Sequence, residues 1–309
     1  MVVLSLFDGP STGLAALKDA GIKVDKYFAS EIDPHAIKVS AKNHPEVVQV
    51  GSVEDLFYKD GCLFTGKWDA DTRSYRDVQF IYNGVIDLLI GGSPCQGFSK
   101  SGKNLGFDDP RSRLFWHYAR IMYEVGPKWF LLENVKMKKE WRDIISEELN
   151  IEPILLNSSL LSAQNRERYY WANWKITPPA DRGIVLAEVL QDQVDRSLRV
   201  PNIRPYVIRR RGVKHVRPCA IRGRYNSEGV TEQRLEVRED VKANAVTTVS
   251  KDSLVMVSET VRRYSITELE RLQTLPDGYT EGVSETQRRK MIGNGWTMKM
   301  ISEIFSQMC

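Results

Sequence analysis

Cysteine is scarce in this 309-residue chain: four residues, at positions 62, 95, 219 and 309, with no Cys-x-x-Cys pair. That argues against a disulfide framework and a structural zinc site, and it fits a reducing compartment. The four histidines (His35, His44, His117, His215) lack metal-ligand spacing, so no metal is expected. No run of 18 apolar residues occurs, so no transmembrane helix is expected. Met1-Val2-Val3-Leu4-Ser5-Leu6-Phe7 has neither a basic leader nor a small-residue cleavage site. It reads as a first strand and not as a signal peptide, and a cytoplasmic location follows. Internal repeats and low-complexity tracts are absent. Excess charge of one sign is also small overall, with a net charge of +4. Its distribution is uneven. Residues 179–258 hold 15 Lys and Arg against 10 Asp and Glu, which leaves 29 against 30 for the rest of the chain. Arg209-Arg210-Arg211, Lys214, Arg217, Arg222 and Arg224 are the densest part, with Tyr206 and Tyr225 among them. Such a patch suits phosphate binding, or is a solvated basic face.

The first half alternates strand and helix patterns. Residues 2–6 read as a buried strand ending at Asp8-Gly9, and 14–17 open a helix that stops near Gly21. Residues 24–29 read as a second strand ending at Ser30-Glu31. Pro34 starts a helix reaching Asn43, and 47–50 make a short third strand. Residues 56–82 are expected to be irregular and polar, a connection or a small insertion. Val85-Ile86-Asp87-Leu88-Leu89-Ile90 then reads as a strand running into Gly91-Gly92-Ser93-Pro94-Cys95. Trp129-Phe130-Leu131-Leu132 reads as another, running into Glu133-Asn134-Val135. Helices are expected at 113–125 and 138–149, and further strands at 154–156 and 169–174. This rhythm predicts an α/β fold on a doubly wound, Rossmann-like sheet. The pattern changes at Thr177-Pro178-Pro179. Residues 179–258 are expected to form a smaller, irregular β-rich domain that includes a β-like run at 245–249. Residues 1–178 plus 259–309 are expected to form the main domain, with helices at 267–274 and 296–304.

Several segments carry candidate chemistry. Phe7-Asp8-Gly9-Pro10-Ser11-Thr12-Gly13 joins the first strand to the first helix, where a backbone turn and a helix N-terminus attract a carboxylate or phosphate. Glu31 ends the second strand, the place of an acid that grips ribose hydroxyls. The turn lacks the full Gly-x-Gly-x-x-Gly pattern, so S-adenosylmethionine competes with NAD as the adenosine cofactor. Cys95 has polar neighbours in Ser93, Gln96, Ser99, Lys100 and Ser101. It is a candidate nucleophile, against the common alternative of a buried structural thiol. Glu133 is a candidate acid, or a helix-capping carboxylate. Gln164, Arg166 and Arg168 would share one face of an extended segment and suit an anion or a nucleobase; the alternative is a surface charge pair with Glu167.

In order along the chain these pieces resemble the DNA cytosine-5-methyltransferases. The resemblance rests on Phe7-Asp8-Gly9, Ser30-Glu31, Ser93-Pro94-Cys95-Gln96, Glu133-Asn134-Val135, Gln164-x-Arg166-x-Arg168, Arg271-Leu272-Gln273 and Gly293-Asn294-Gly295-Trp296. It is similar to bacterial and phage enzymes, and to the catalytic domain of the mammalian de novo enzymes. The resemblance implies that Cys95 attacks C6 of a flipped cytosine, that Glu133 holds the N3 and 4-amino edge, that Arg168 binds O2, and that Arg166 supports the loop or a phosphate. It implies a cofactor site for S-adenosylmethionine, with S-adenosylhomocysteine as product, formed by Phe7, Asp8, Gly9, Ser11, Thr12, Gly13, Glu31, Ile32, Ser52, Val53, Ser93, Pro94, Asn294 and Trp296. It implies double-stranded DNA as partner, met by Ser99, Lys100, Arg209, Arg210, Arg211, Arg222, Arg224, Thr247 and Thr248, with 99–113 as a closing loop and 179–258 as the target recognition domain. A monomer, held at the nucleoid through DNA or encoded by a phage, is expected. Two departures stand on the cofactor side. Gly51-Ser52-Val53 has a serine where the family has an acid, with Glu54 or Asp55 as substitutes. Pro10-Ser11-Thr12 replaces more glycine-rich sequence. An altered cofactor preference and a tRNA substrate are therefore the alternatives, and a non-catalytic relative would be expected to lose Cys95, Glu133 or the cofactor turn.

Overall fold

The computed structural model describes residues 1–69, 71–94, 114–200, 216–225, 231–258 and 260–308. They fall into two compact units. One holds Met1–Leu156, Glu167–Pro178 and Ile301–Cys309; the other holds Asn157–Arg166 and Pro179–Met300.

The first unit begins β1 (Val2–Leu6), α1 (Thr12–Asp19), β2 (Lys26–Ser30), α2 (Pro34–Asn43) and β3 (Val48–Gln49). Helix α2 starts where its sequence says it should. Asp33 accepts from the His35 backbone N–H at 3.0 Å, and Pro34 takes the first helical position, where no N–H is needed. Three strands follow: β4 (Leu56–Lys59), β5 (Cys62–Asp69) and β6 (Ser74–Asn83). They form their own antiparallel sheet in the order β4-β5-β6, an insertion that is regular where irregular backbone was expected. Asp60 and Gly61 have φ of 50° and 78° and close the β4–β5 hairpin between Lys59 and Cys62. An Asp-Gly pair with both φ positive is the turn that matches strand twist. Polar residues on the outer strand face hid the alternation.

The chain then makes β7 (Leu88–Gly91), α3 (Leu114–Val125), β8 (Trp129–Val135), α4 (Lys139–Leu149) and β9 (Ile154–Asn157). Gln164–Asn165 is β10, in the second unit, and Glu167–Ala172 is β11. The main sheet has seven strands in the order β3-β2-β1-β7-β8-β11-β9. β1 pairs in parallel with β2 and β7, and β7 in parallel with β8; β11 runs antiparallel to β8. Strand order reverses at the boundary between β1 and β7. The crevice past their C-terminal ends is where an open α/β sheet takes its ligand. Leu4, Leu6, Leu89, Leu132, Phe115, Tyr118 and Trp171 are buried in one core beneath it. Each such side chain contributes roughly 1.5–3 kcal/mol by leaving water. Trp171 keeps its indole N–H satisfied on Ser146 Oγ at 3.0 Å, so its burial costs no hydrogen bond.

The second unit carries α5 (Leu186–Val189), β12 (Val216–Tyr225), β13 (Thr231–Val237), β14 (Ala243–Asn244), β15 (Leu254–Val257), β16 (Thr260–Arg263), α6 (Ile266–Leu272), α7 (Glu285–Asn294) and the start of α8 (Met298–Phe305). Strands run β13-β12-β15-β16 in one sheet, and β10 pairs with β14. The expected boundaries, 179–258, are narrower than this unit. The reason is its core: Leu269, Leu272 and Ile292 pack with Ala163, Ala243, Val246 and Val255. Helix α7 escaped the sequence reading because its charged run, Glu285-Thr286-Gln287-Arg288-Arg289-Lys290, has little apolar periodicity. Residues 245–249 are not a strand; β14 ends before them. Helix α6 is held by a capping box, Ser265 with Glu268, whose buried carboxylate also takes both arms of Arg262 at 2.7 and 2.8 Å. Among the described residues no helix is long and apolar enough to cross a membrane.

Candidate active site

The turn after β1 is unusual backbone. Phe7, Gly9 and Ser11 have φ of 57°, 61° and 58°, all left-handed. Two of the three are not glycine, and such strain clusters at functional sites. It is held in place from both sides. Glu31 Oε2 accepts from the Gly9 N–H at 2.7 Å, and its Oε1 accepts from the N–H groups of Ile32 and Asp33, each at 2.8 Å. Beneath the turn, Asp8 Oδ1 accepts from the Tyr27 hydroxyl at 2.6 Å and Oδ2 from the Ser11 hydroxyl at 2.5 Å. Burial pushes the Asp8 carboxyl up to about 6, against the lowering by its hydroxyl donors. The Asp8 side chain therefore faces the core and braces the turn from beneath. Ser11 is fully buried and bonds Asp8 and Ser40, so its side chain does not cap α1. The first-turn N–H groups at Thr12 and Gly13 receive no side-chain cap from it, which suits a carboxylate.

The rest of the expected cofactor set in this unit lies at neighbouring strand ends. Ile32, past β2, is 74% exposed, an apolar surface with no core to join. Val53 is buried, and Ser52 is half-buried with its hydroxyl accepting from the Glu54 N–H at 3.2 Å. Glu54 is exposed. These donors and acceptors fit S-adenosylmethionine: backbone N–H groups for a carboxylate, a glutamate with a remaining lone pair for ribose, and an apolar wall. Among the described residues no group of three or more His, Cys, Asp or Glu could hold a metal ion.

The ends of β7 and β8 are tied together. Asn134 Nδ2 donates to Ser93 Oγ at 2.9 Å, and both residues are buried. Glu133, 8% exposed, meets Arg168 Nε at 3.0 Å. The register explains this: Tyr170 faces Glu133 and Arg168 faces Val135 across the β8–β11 ladder, so Arg168 reaches back diagonally. Arg168 also donates to the Glu167 carbonyl at 2.8 Å.

Arg166 behaves differently. The extended segment is broken at this residue, between β10 and β11. Its guanidinium is buried in the second unit and donates to the carbonyls of Val246 (2.8 Å), Gly293 (3.3 Å) and Gly295 (2.9 Å). The one-face reading of Gln164, Arg166 and Arg168 is corrected accordingly: Arg166 and Gln164 hold backbone, and Arg168 alone pairs with the candidate acid. Gln164 accepts from the Val246 N–H at 3.0 Å and donates to the Leu272 carbonyl and to Gln273 Oε1, at 2.5 and 2.8 Å. Gln273 in turn donates to the carbonyls of Ile292 and Gly295. Thr247 is half-buried and Thr248 exposed; Asn294 is exposed and Trp296 half-buried, all four in the second unit. Arg222 is exposed and stands 3.7 Å from Glu236. Cys95, Ser99, Lys100, the loop 99–113, Arg209, Arg210, Arg211 and the Arg224 side chain lie outside the described residues. Of the other cysteines, Cys219 is buried, and desolvation pushes its thiol up to about 12, which makes it inert.

A sequence model of the family "C-5 cytosine-specific DNA methylase" matches residues 1–175 and 189–309. The chain belongs to this family. Among its relatives, the type II methyltransferase M1.ScrFI of Lactococcus lactis subsp. cremoris is 28% identical over 93% of this chain and 72% of its own length. The type II methyltransferase M.Eco47II of Escherichia coli is 37% identical over 43% of this chain, which spans 27% of that enzyme. The crystal structure of Spodoptera frugiperda DNMT2 superposes with a TM-score of 0.65 over 98% of each chain at 18% identity. That likeness shows the fold, a mixed α/β methyltransferase fold.

Proposed function

We propose that this protein transfers a methyl group to C5 of a flipped cytosine in a specific duplex DNA sequence. The observation that carries the reading is the Glu133–Arg168 pair at the end of β8, beside the β7 end that Asn134 holds and that leads directly into Cys95. The roles follow from the chemistry of the ring. C5 of cytosine is a poor nucleophile. Addition of the Cys95 thiolate to C6 breaks the C5–C6 double bond and makes C5 electron-rich. Glu133 holds N3 and the 4-amino group and favours that addition by hydrogen bonding or protonation at N3. Arg168 orients Glu133 and binds O2. Bound S-adenosylmethionine supplies the methyl group. Phe7, Gly9, Thr12, Gly13, Glu31, Ile32, Ser52, Val53, Ser93 and Pro94 of the first unit would hold it. Loss of the C5 proton then expels Cys95. The ring must leave the base stack for any of this, so the enzyme flips it. Thr247, Thr248 and the basic residues of the second unit meet the duplex.

Bisulfite sequencing of DNA from a host expressing the protein first gives the methylated site. A duplex carrying 5-fluorocytosine at that site cannot lose fluorine as a proton is lost. It is expected to trap the protein covalently when S-adenosylmethionine is present, and Cys95→Ala is expected to form no adduct. No adduct with the parent protein would contradict the mechanism. An adduct with tRNA and none with duplex would move the substrate to RNA.

A further inference from the structure

Gly293 sits in the last turn of α7, where a glycine weakens a helix. Its place is explained by what lies against it. A Cβ built there would stand 2.6 Å from the Thr247 carbonyl carbon, 2.7 Å from the Thr248 nitrogen and 2.8 Å from the Thr247 oxygen. The Thr247–Thr248 peptide rests directly on the helix backbone. The approach is held by a buried polar clamp. Arg166 bridges the carbonyls of Val246, Gly293 and Gly295, and Gln164 takes the Val246 N–H. Thr247 Oγ1 lies 3.2 Å from the Val249 nitrogen and 3.3 Å from its oxygen, and so closes a local turn. The far side of the segment is open, with Thr248 exposed and Val249 39% exposed. One side is clamped to a helix and the other is presented to solvent.

We propose that Gly293 is a positioning residue for DNA recognition: it sets the depth at which the Thr247–Thr248 segment meets the duplex. This rests on the reading above, that these threonines contact DNA. Any side chain at 293 must push the 247–248 peptide outward by roughly 1 Å, since carbon atoms settle at about 3.5–4.0 Å. A shift of about 1 Å takes a contacting group out of hydrogen-bond geometry, and one lost base-edge contact is worth about tenfold or more in discrimination. Gly293 makes no contact with substrate itself and acts only through that peptide.

The test compares the parent, Gly293→Ala, Thr248→Ala and Thr247→Ala. Affinity is read for a duplex holding the methylated site, for an unrelated duplex and for S-adenosylhomocysteine, together with thermal midpoint. Gly293→Ala is expected to lower the preference for the specific duplex at least about tenfold, with S-adenosylhomocysteine affinity unchanged within about twofold. At least one threonine variant is expected to lose preference in the same direction. A mere loss of packing would lower the midpoint and leave the preference intact. If Gly293→Ala does not fold, Arg166→Gln replaces it, since it loosens the same peptide without filling the contact. A parent that prefers no duplex overturns the reading of the threonines. A parent with preference, retained in Gly293→Ala (or in its replacement), overturns the inference, and so does preference retained in both threonine variants.

Discussion

Asp8→Asn should remove a large pH dependence from the stability of this fold. The Asp8 carboxyl is buried under the strained turn among the hydroxyls of Ser11, Ser5 and Tyr27, and burial holds its pKa at about 6 in place of 3.8. Between those values the folded chain binds a proton that the unfolded chain has released. Stability from this group is therefore full below about pH 4 and is lost as pH rises through about 6. A shift of about two units corresponds to about 3 kcal/mol. Asparagine has nearly the same shape and no charge. Its Oδ1 accepts from one hydroxyl and its Nδ2 donates to another, which only has to rotate. The assay is urea unfolding of parent and variant at about pH 4.5 and about pH 7.5, read as the difference between the two proteins at each pH. Other titrating groups are common to both chains and cancel. Moving from the lower to the higher pH, the difference should swing by about 2–3 kcal/mol in favour of the variant. Parallel pH profiles for the two proteins would refute the reasoning.

Two further outcomes follow from the same geometry. Glu133→Gln keeps the shape of the acid but removes the charge that Arg168 faces at 3.0 Å; methylation rate should fall by about 10²–10³ with S-adenosylhomocysteine affinity unchanged, measured by methyl incorporation and calorimetry. A rate within about threefold of the parent would remove Glu133 from the chemistry. Arg166→Met leaves the buried carbonyls of Val246 and Gly293 without their guanidinium donor, while the part-buried Gly295 carbonyl keeps Gln273. At roughly 1–3 kcal/mol for each of the two unsatisfied groups, partly relieved by relaxation, unfolding free energy should drop by about 2–4 kcal/mol, and a loss under about 1 kcal/mol in urea titration would contradict the clamp.

Much of the candidate site was legible because chain direction alone places its residues. The turn after β1, the acid after β2 and Ser93-Pro94 after β7 follow C-terminal strand ends, and a parallel sheet gathers those ends on one edge. The hairpin at Asp60-Gly61 was also written in the sequence, in a dipeptide that marks such turns, but the polar composition around it masked the signal. Gln164, Arg166 and Arg168 misled for a different reason. Period-two alternation holds only while a strand continues, and nothing local marks the break at Arg166.

Sequence by itself determined most of the alternating strands and helices of the main sheet, and the residue types that stand at its strand ends. It did so because strand period, caps and strand-end chemistry are local. Tertiary structure alone decided which way each side chain faces. Asp8 turns inward because Tyr27 and Ser11, on different elements, meet it in the core. Arg166 serves carbonyls 80 to 129 residues away. Gly293 is required by a peptide from a distant loop. These are contacts between segments remote along the chain, and a sequence read without its partners holds no distance between them.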